Sequence, residues 1–562
     1  MTWFSEKCYV WEKFKGIFLA ATMAMLCEYL VLLSDEIIIG NIWGELAISG
    51  VALATPFFSV IVFVSYMIAG GTGVLMSAAD GRGDRPLSDR YISQAIQLTA
   101  ISSVVLFALY IAAGPTILRL LGSDEAVISY AQQYFSCLAW LPLVQIFIAV
   151  LYTVVLYRGG ETACNVSTAV MVVLNISLSV YLGLEMGLAG VSLATVIANL
   201  VGLIPLLWFL TTRQGHISFT FGFTKKDVIE IFRLSFAESV VFLLIAGQQF
   251  VLNWYLLANY SVDAVVTCTV VLYLVVLLMT LFEGLCEILI PVVSVYWAEN
   301  NYIGNLKVLR LLERVGLAET AIITVVLLAG ADVLPLLFGV RSPELLADTA
   351  AAIRLFVPAV WFFCIVKLYA VYYICIERIS LSVWFSLWQL FAVPVLFTIA
   401  GCESFGLYGG WAGMTLAQIV TWAMLKLYCH RHHPGTAGLS HLSLAALNRQ
   451  FLRNIPADES HWRDACGEIS RLDFLTGLSP TARQELDDTL SAADRLITDF
   501  FRRDDMVELS LLCFDDKITI IIRCHGMKPD SNTTEIHPFI YSPAAGDDRF
   551  MATIFTQAKA DN

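Results

Sequence analysis

Two stretches of the chain resemble each other, GLAGVSLATVIANLV at residues 187–201 and GLYGGWAGMTLAQIV at residues 406–420. They share glycine at two positions, Gly187 with Gly406 and Gly190 with Gly409, and are offset by about 219 residues. Upstream of each copy, at 118–135 and 334–356, a short loop leads into an apolar stretch. The sequence therefore predicts an internal duplication.

The composition indicates a membrane protein. The chain has 562 residues, of which 58% are hydrophobic and 14% charged, and its mean hydropathy is +0.74. A water-soluble globular protein of this length does not have this balance. Stretches of about 20 apolar residues are long enough to cross a bilayer. Twelve such stretches begin near residues 16, 47, 91, 130, 163, 187, 230, 264, 309, 351, 380 and 405.

The duplication unit contains six of these spans, and because six is even, both copies enter the membrane from the same side. We expect two six-helix lobes, residues 1–215 and 216–432, related by an axis along the membrane normal. A cleft between two such lobes suits transport by alternating access.

The basic residues in the connections between spans predict the orientation. Seventeen Lys and Arg lie on one side of the predicted membrane and three on the other. Connections rich in Lys and Arg face the cytoplasm. We therefore expect a multi-pass protein of the cell membrane with both termini cytoplasmic, and we call that side the inner side.

The last part of the chain has a different composition. Residues 446–562 contain 13 Lys+Arg and 20 Asp+Glu, far above the charge density of the rest. They follow a linker at 433–445. A helix begins at Ser479-Pro480, and MVELSLLC and ITIIIRCHG alternate as strands. The predicted fold is thus an all-α polytopic membrane protein with twelve transmembrane helices in two parallel-repeat lobes, plus a small cytoplasmic α+β domain.

The first span contains LLSDEIIIGN at residues 32–41, in which two carboxylates are adjacent. A carboxylate in a membrane span costs about 2.5–3.5 kcal/mol, so we expect a function for it. Glu28 lies two helical turns before Asp35 on the same face, whereas Glu36 is rotated by roughly 100°. We interpret Asp35 as a proton or cation site, Glu28 as a candidate coupling residue beside it, and Glu36 as more peripheral, at an edge or interface. The alternative is that Asp35 is a structural carboxylate bound by an Asn or Tyr.

The second lobe has its own candidates. Glu283 and Glu287 share one face of the eighth span, and Lys367 lies in the tenth. They predict a substrate site or a second proton site, or alternatively a buried ion pair that fixes helix packing. Gln249 lies where the repeat of Asp35 falls, and polar contacts between helices are its alternative role.

The motifs of the transporter part, taken together, resemble a known family. The segment LLSDEIIIGN, the loop SAADGRGDRPLSDR at 77–90, the long stretch from Arg158 to Asn199 and EGLCEILIPVVSVYWAENN at 283–301 resemble motifs of the multidrug and toxic compound extrusion (MATE) transporters in order and spacing. This resemblance covers residues 10–430.

The resemblance implies a secondary antiporter that uses a H⁺ or Na⁺ gradient to export organic, often cationic, small molecules. It assigns the cation site to Asp35, Asn175, Ser179 and Thr195, with Ser179 where the family has an Asp. A single carboxylate suits H⁺ better than Na⁺, because hard cations prefer several anionic or carbonyl oxygens. The resemblance implies no cofactor other than the coupling ion.

The cytoplasmic domain resembles the ATP-binding fold of anti-sigma-factor kinases and histidine kinases (GHKL) in its order of helix, strand, turn and strand. Its ligands for nucleotide are replaced, because Cys524 stands where the family has the adenine-binding Asp and only Gly546 remains of the glycine-rich lid. We expect a degenerate, regulatory domain without ATPase or kinase activity, and a protein partner for it.

Other functions remain open at this point. The chain could be a non-transporting membrane sensor that signals through its C-terminal domain, or a flippase for lipid-linked precursors. We expect a small organic molecule as the substrate and no enzyme activity, metal site or nucleic-acid partner.

Overall fold

The computed structural model describes residues 34–432 and 449–555. Within these ranges it leaves out residues 82–83, 122–124, 159, 213–215, 287–288, 377, 457–458, 473–474, 476–477, 501–505, 514–516, 525–534, 537–538 and 542–547.

The first lobe consists of seven described helices. Helix α1 covers residues 34–43. It is followed by α2 (Glu45–Gly81), α3 (Arg85–Leu121), α4 (Glu125–Leu138), α5 (Pro142–Tyr157), α6 (Glu161–Met186) and α7 (Leu188–Leu210).

The second lobe repeats this order with more interruptions. Its helices are α8 (Lys225–Asn259), α9 (Val262–Cys286), α10 (Leu289–Ala298), α11 (Tyr302–Gly330), α12 (Leu334–Leu337), α13 (Pro343–Phe356), α14 (Ala359–Cys375), α15 (Ile379–Leu387) and α16 (Val393–His432), with a π-helical turn at Trp388–Ala392 between the last two.

The helices agree with the predicted membrane topology. In the described part of the chain, seven helices are long and apolar enough to cross a membrane, and nine if each of two bent pairs is one span. The segment Ile379–Arg431 joins two helices at Gly406, where the backbone is not helical. With these counted separately, and with α1 and the more charged α11, the number is the predicted twelve.

The duplication is visible in the backbone. Gly187 and Gly406 adopt nearly the same conformation, with φ of 68° and 70°. A positive φ favours glycine because it has no Cβ. Both glycines form the sharp outer turn between the last two spans of a lobe. The two helix pairs α4/α5 and α13/α14 also correspond, with bends of 53° and 52°.

Those bends are a difference from the prediction. The spans expected to begin near residues 130 and 351 are each two helices, with breaks at 139–141 and 357–358. Proline explains both breaks, because it cannot donate the backbone hydrogen bond of a helix interior. Pro142 is the first residue of α5, and Pro358 immediately precedes α14.

A close helix contact recurs in both lobes. A Cβ added at Gly190 would lie 2.0 Å from the carbonyl oxygen of Leu182, and one at Gly409 would lie 2.3 Å from that of Gly401. Both contacts have the offset of the repeat, so the two helical hairpins pack backbone against backbone in the same way.

The C-terminal domain is α+β, as predicted. It contains β1 (Gln450–Pro456), α17 (Glu459–Ile469), α18 (Pro480–Phe500), β2 (Met506–Cys513), β3 (Lys517–Cys524), β4 (Glu535–Ile536), β5 (Phe539–Tyr541) and β6 (Asp548–Phe555). The strands form one antiparallel sheet in the order β1-β2-β3-β6-β5-β4.

The two faces of this sheet have different surroundings. Side chains alternate between the faces of a strand. Leu509 and Ile520 belong to the same apolar cluster as Trp462 of α17 and Leu490 of α18. The other face carries Glu508 and further polar side chains that are also buried.

We predict that Gly190→Ala destabilises the first lobe by about 1–3 kcal/mol, because the added methyl group forces α6 and α7 apart. Thermal unfolding of the protein in detergent measures the effect. Gly330→Ala is the matched control, since its Cβ would meet side-chain atoms only at 3.6 Å. Equal melting temperatures for the two variants would contradict this packing.

Candidate functional site

Asp35 lies at the centre of a buried polar cluster in the first lobe. Ser179 Oγ donates a hydrogen bond to Asp35 Oδ1 over 2.7 Å, and Thr195 Oγ1 donates to Oδ2 over 2.9 Å. Asn175 Nδ2 in turn donates to Thr195 Oγ1 over 3.0 Å. The structure therefore brings together Asp35, Asn175, Ser179 and Thr195, the four residues that the sequence assigned to a cation site.

The hairpin of α6 and α7 produces this cluster. Asn175 and Ser179 are four residues apart on α6, so they share a face. The turn at Gly187 returns the chain so that Thr195 of α7 stands beside them. Asp35 projects from α1 onto this face and is only 6% exposed.

The cluster contains one carboxyl group. Ser179 presents a hydroxyl group to Asp35 where an Asp would bring a second carboxylate, so the contact is a hydrogen bond rather than a like-charge pair. Hydrogen bonds to a charged acceptor are worth about 1.5–3 kcal/mol each and offset part of the cost of burying Asp35. A single carboxylate so placed can accept one proton, whereas a hard metal cation prefers several anionic or carbonyl oxygens.

The position of Glu36 differs from the expected one. It was expected at the periphery, but it is 4% exposed and accepts a hydrogen bond from the Tyr273 hydroxyl of α9. The expected rotation of about 100° from Asp35 is compatible with this position. The periphery was wrong because that face of α1 is covered by the second lobe, which the sequence of α1 does not reveal.

The polar residues of the second lobe form a separate group. Lys367 on α14 pairs with Glu283 on α9, as the sequence suggested. Lys367 is buried, while the Glu283 side chain is 37% exposed. No contact joins this pair to Asp35 among the described residues. Glu287, like Glu28, lies outside the described residues.

Gln249 on α8 is buried, and its Oε1 has no hydrogen-bond partner in the part of the chain that the structure describes. One turn further along, Asn253 donates to the backbone oxygen of Ala52 in the first lobe over 3.0 Å. This contact supports the alternative that polar side chains of α8 hold helices together.

Two acidic residues of α11 were not among the candidates. Glu313 accepts a hydrogen bond from the Tyr369 hydroxyl over 2.9 Å, and Glu319 Oε2 is buried without a described partner. The signal of Glu319 was present in the sequence, because it interrupts the otherwise apolar second half of the 302–330 segment, whereas Glu313 lies among the basic residues of the first half.

A cavity of about 570 Å³ opens at the inner end of the second lobe. Its lining includes Arg233, Phe236, Arg378 and Ser380, and none of the predicted site residues. Its two arginines make it an unsuitable place for an organic cation.

Comparison with known proteins gives one family match. The MatE family profile matches residues 20–181, which include Asp35, Asn175 and Ser179. No curated protein sequence matches the chain.

Several solved structures have the same fold. The chain superposes on the inward-facing conformation of a multidrug resistance MATE family transporter of the MOP superfamily with a TM-score of 0.67 and 17% identity, covering 73% of this chain and 96% of that one. The outward-facing conformation of a multidrug resistance MATE family transporter gives a TM-score of 0.61 and 17% identity, covering 74% of this chain and 94% of that one. A third match is a MOP superfamily transporter from Pyrococcus furiosus that is described as having a binding pocket of reverse polarity. It gives a TM-score of 0.63 and 17% identity, covering 74% of this chain and 94% of that one.

These matches confirm the predicted resemblance to the MATE transporters, in sequence over the first lobe and in fold over the membrane part. They are to transporters rather than to enzymes.

The charge of Asp35 can be tested by removing one of the hydroxyl groups that donate hydrogen bonds to it. Ser179→Ala removes a bond to a charged acceptor and should cost about 1.5–3 kcal/mol. Ser167→Ala removes an equally buried bond of α6 to a neutral acceptor, the Gly202 carbonyl at 2.6 Å, and should cost about 0.5–1.5 kcal/mol. Thermal unfolding in detergent at pH 8 compares the two, and the gap should close in acid. Equal costs at pH 8 would show that Asp35 is uncharged there.

Proposed function

We propose that this protein, which shares the fold of the MATE transporters, is a proton-coupled antiporter that exports small organic molecules by alternating access. The observation that supports this most directly is the Asp35 cluster, a single buried carboxylate with two hydroxyl donors in the lobe that the family profile matches. The basic inner connections favour an orientation with both termini in the cytoplasm.

In this proposal Asp35 binds one proton per cycle. As a carboxylate it is held by Ser179 and Thr195 from two other helices of its own lobe. Protonation removes the charge, so the hydrogen bonds from these two donors to Asp35 become weaker. The position of α1 relative to α6 and α7 can then change, and this shift moves one lobe against the other.

Ser179 favours H⁺ over Na⁺ in this proposal. The cluster offers a metal cation only one carboxylate, beside the neutral oxygens of Ser179 and Thr195. A proton needs only the carboxylate. The substrate is proposed no more closely than a small organic molecule, and the arginine-lined cavity of the second lobe leaves its charge open.

The C-terminal domain, called the tail below, is proposed to regulate the transporter part. Its contact with the second lobe supports this. The loop between α10 and α11 contacts the face of the tail sheet opposite α17 and α18. Arg523 of β3 is 2% exposed and pairs with Glu299 of the loop and, over 2.9 Å, with Glu508 of β2. Tyr296 of α10 donates to Glu508 over 2.7 Å, and the Arg523 guanidinium lies 4.6 Å from its ring centre.

Further hydrogen bonds extend this contact. Asn301 Nδ2 donates to Ser510 Oγ over 3.0 Å, and Lys307 Nζ donates to the Leu452 carbonyl over 2.9 Å. Gln450 accepts from the Tyr302 amide over 2.8 Å and donates to the Asn300 carbonyl over 2.6 Å. A contact that holds the inner ends of α10 and α11 in this way restrains the second lobe.

Two alternatives remain distinguishable. A sensor would keep the docked tail but would not transport. A flippase for lipid-linked precursors would share the fold and move an amphiphilic substrate. Transport of a small water-soluble organic compound excludes the sensor, and transport confined to amphiphilic lipid-linked compounds supports the flippase.

We predict that Asp35→Asn abolishes proton-driven transport. In proteoliposomes loaded with a fluorescent organic cation, an imposed pH gradient should drive export by the wild type, and a Na⁺ gradient alone should not. Asp35→Asn should reduce the rate at least tenfold because the amide cannot bind the proton. Glu185→Gln changes an exposed carboxylate of α6 and is the control. Transport by Asp35→Asn at the wild-type rate would overturn the assignment.

We predict that Arg523→Gln releases the tail. It removes the arginine that pairs with both Glu299 and Glu508, and removing one partner of a buried ion pair costs about 3–5 kcal/mol. Hydrogen exchange at residues 296–303 should increase, and transport should become faster because α10 and α11 are freed. Arg453→Gln is the control, since that arginine pairs with Glu468 in a partly exposed position of the tail. Increased exchange with unchanged transport would confirm the docking and contradict the regulatory role.

A further inference from the structure

Helix α1 carries two adjacent buried carboxylates that bind different lobes. Asp35 is held by Ser179 and Thr195, both in the first lobe. Glu36 is held by Tyr273, which belongs to α9 of the second lobe. Because consecutive residues of a helix move together, the position of one carboxylate constrains the other.

The surroundings of Glu36 form a contact between the outer ends of the lobes. Gly40 and Gly339 approach backbone to backbone, so that a Cβ on Gly339 would lie 2.0 Å from the Gly40 oxygen. Asn41 Nδ2 donates to the Leu337 carbonyl over 2.8 Å, and Arg341 donates to Asn41 Oδ1 over 2.8 Å. The α1 segment from Glu36 to Asn41 therefore seals against the second lobe.

The Tyr273 ring is held by stacking, and its hydroxyl binds one of the two oxygens of the Glu36 carboxyl group. The Tyr273 ring stacks on Phe338, with ring centres 5.9 Å apart and an angle of 8° between the planes. Its hydroxyl donates to Glu36 Oε1, while Oε2 is buried with no partner among the described residues. A buried polar atom without a partner is costly. Among the described residues, the hydrogen bond from Tyr273 therefore satisfies only one of the two oxygens of the Glu36 carboxyl group.

We propose that Glu36 is a positioning residue that connects occupancy of the Asp35 site to the contact between the lobes, with Glu36 and Tyr273 acting as a latch on the outer side. This inference rests on the proposed function. When the coupling cation occupies the Asp35 site, the bonds from α6 and α7 rearrange and α1 shifts. The same shift withdraws Glu36 from Tyr273 and opens the outer side.

Spin labels report the latch without requiring transport. Cysteines replacing exposed residues at the outer ends of the two lobes, Glu125→Cys and Val333→Cys, allow the distance between lobes to be measured in a background in which the accessible native cysteines are alanine. Tyr273→Phe removes the hydroxyl and should shift the distribution severalfold to about tenfold toward the long distance, because a hydrogen bond between the lobes is lost.

Two matched variants separate the latch from general destabilisation. Tyr110→Phe removes another buried tyrosine hydroxyl bond, to the Phe57 carbonyl over 2.6 Å within the first lobe, and should leave the distance unchanged. Glu36→Gln keeps an acceptor for Tyr273 and should retain much of the short distance, whereas Glu36→Leu should not. A short distance in both Tyr273→Phe and Glu36→Leu would overturn the latch.

The connection through α1 has its own test. Asp35→Asn and Tyr273→Phe should affect the distance non-additively, because both act on α1. Additive effects would overturn the connection to the Asp35 site. Normal transport by Asp35→Asn would instead refute the proposed function, whereas the distance measured in Tyr273→Phe tests the latch in either case.

Discussion

The structure depends on burying two neighbouring carboxylates in an apolar helix bundle. Such groups are stable in a membrane span only if other side chains bind them. Asp35 finds its donors on α6 and α7, and Glu36 finds its donor on α9. Since the two side chains point in different directions, α1 has to lie between the lobes. This requirement places the candidate site beside the surface along which the lobes meet.

The duplication determines where those donors stand. In each lobe the last two spans form a hairpin whose turn is a glycine with positive φ and whose arms touch at a second glycine. In the first lobe this close packing presents Asn175, Ser179 and Thr195 to α1. The second lobe has the same hairpin, but its buried ion pair, Glu283 with Lys367, lies on other helices. The two lobes have therefore kept the backbone and diverged in chemistry.

Much of this could be predicted from the sequence, because it depends on period and spacing. The apolar stretches and the repeated glycines are local patterns, and they predicted the spans and the lobes. The composition of the Asp35 cluster was predicted by the resemblance to the MATE motifs. The role of Glu36 could not be predicted, because its partner is 237 residues away and on the other lobe. The bends at residues 139–141 and 357–358 were missed because a proline beside a long apolar stretch does not reveal whether the span continues.

The stretch from α9 to α11 receives contacts from three parts of the molecule. Tyr273 in the outer half of α9 binds α1, Glu283 further along α9 binds Lys367 of α14, and Tyr296 with Glu299 at the inner end of the stretch binds the tail. The tail therefore holds the same stretch of chain that meets the first lobe at the outer side. A domain docked on one side of the membrane can affect a contact on the other without touching the site, provided that the helices between them move as a unit. The buried Arg523, bound by two carboxylates and a tyrosine ring, is the charged centre of that attachment, and the hydrogen bonds of Asn301, Lys307 and Gln450 extend it.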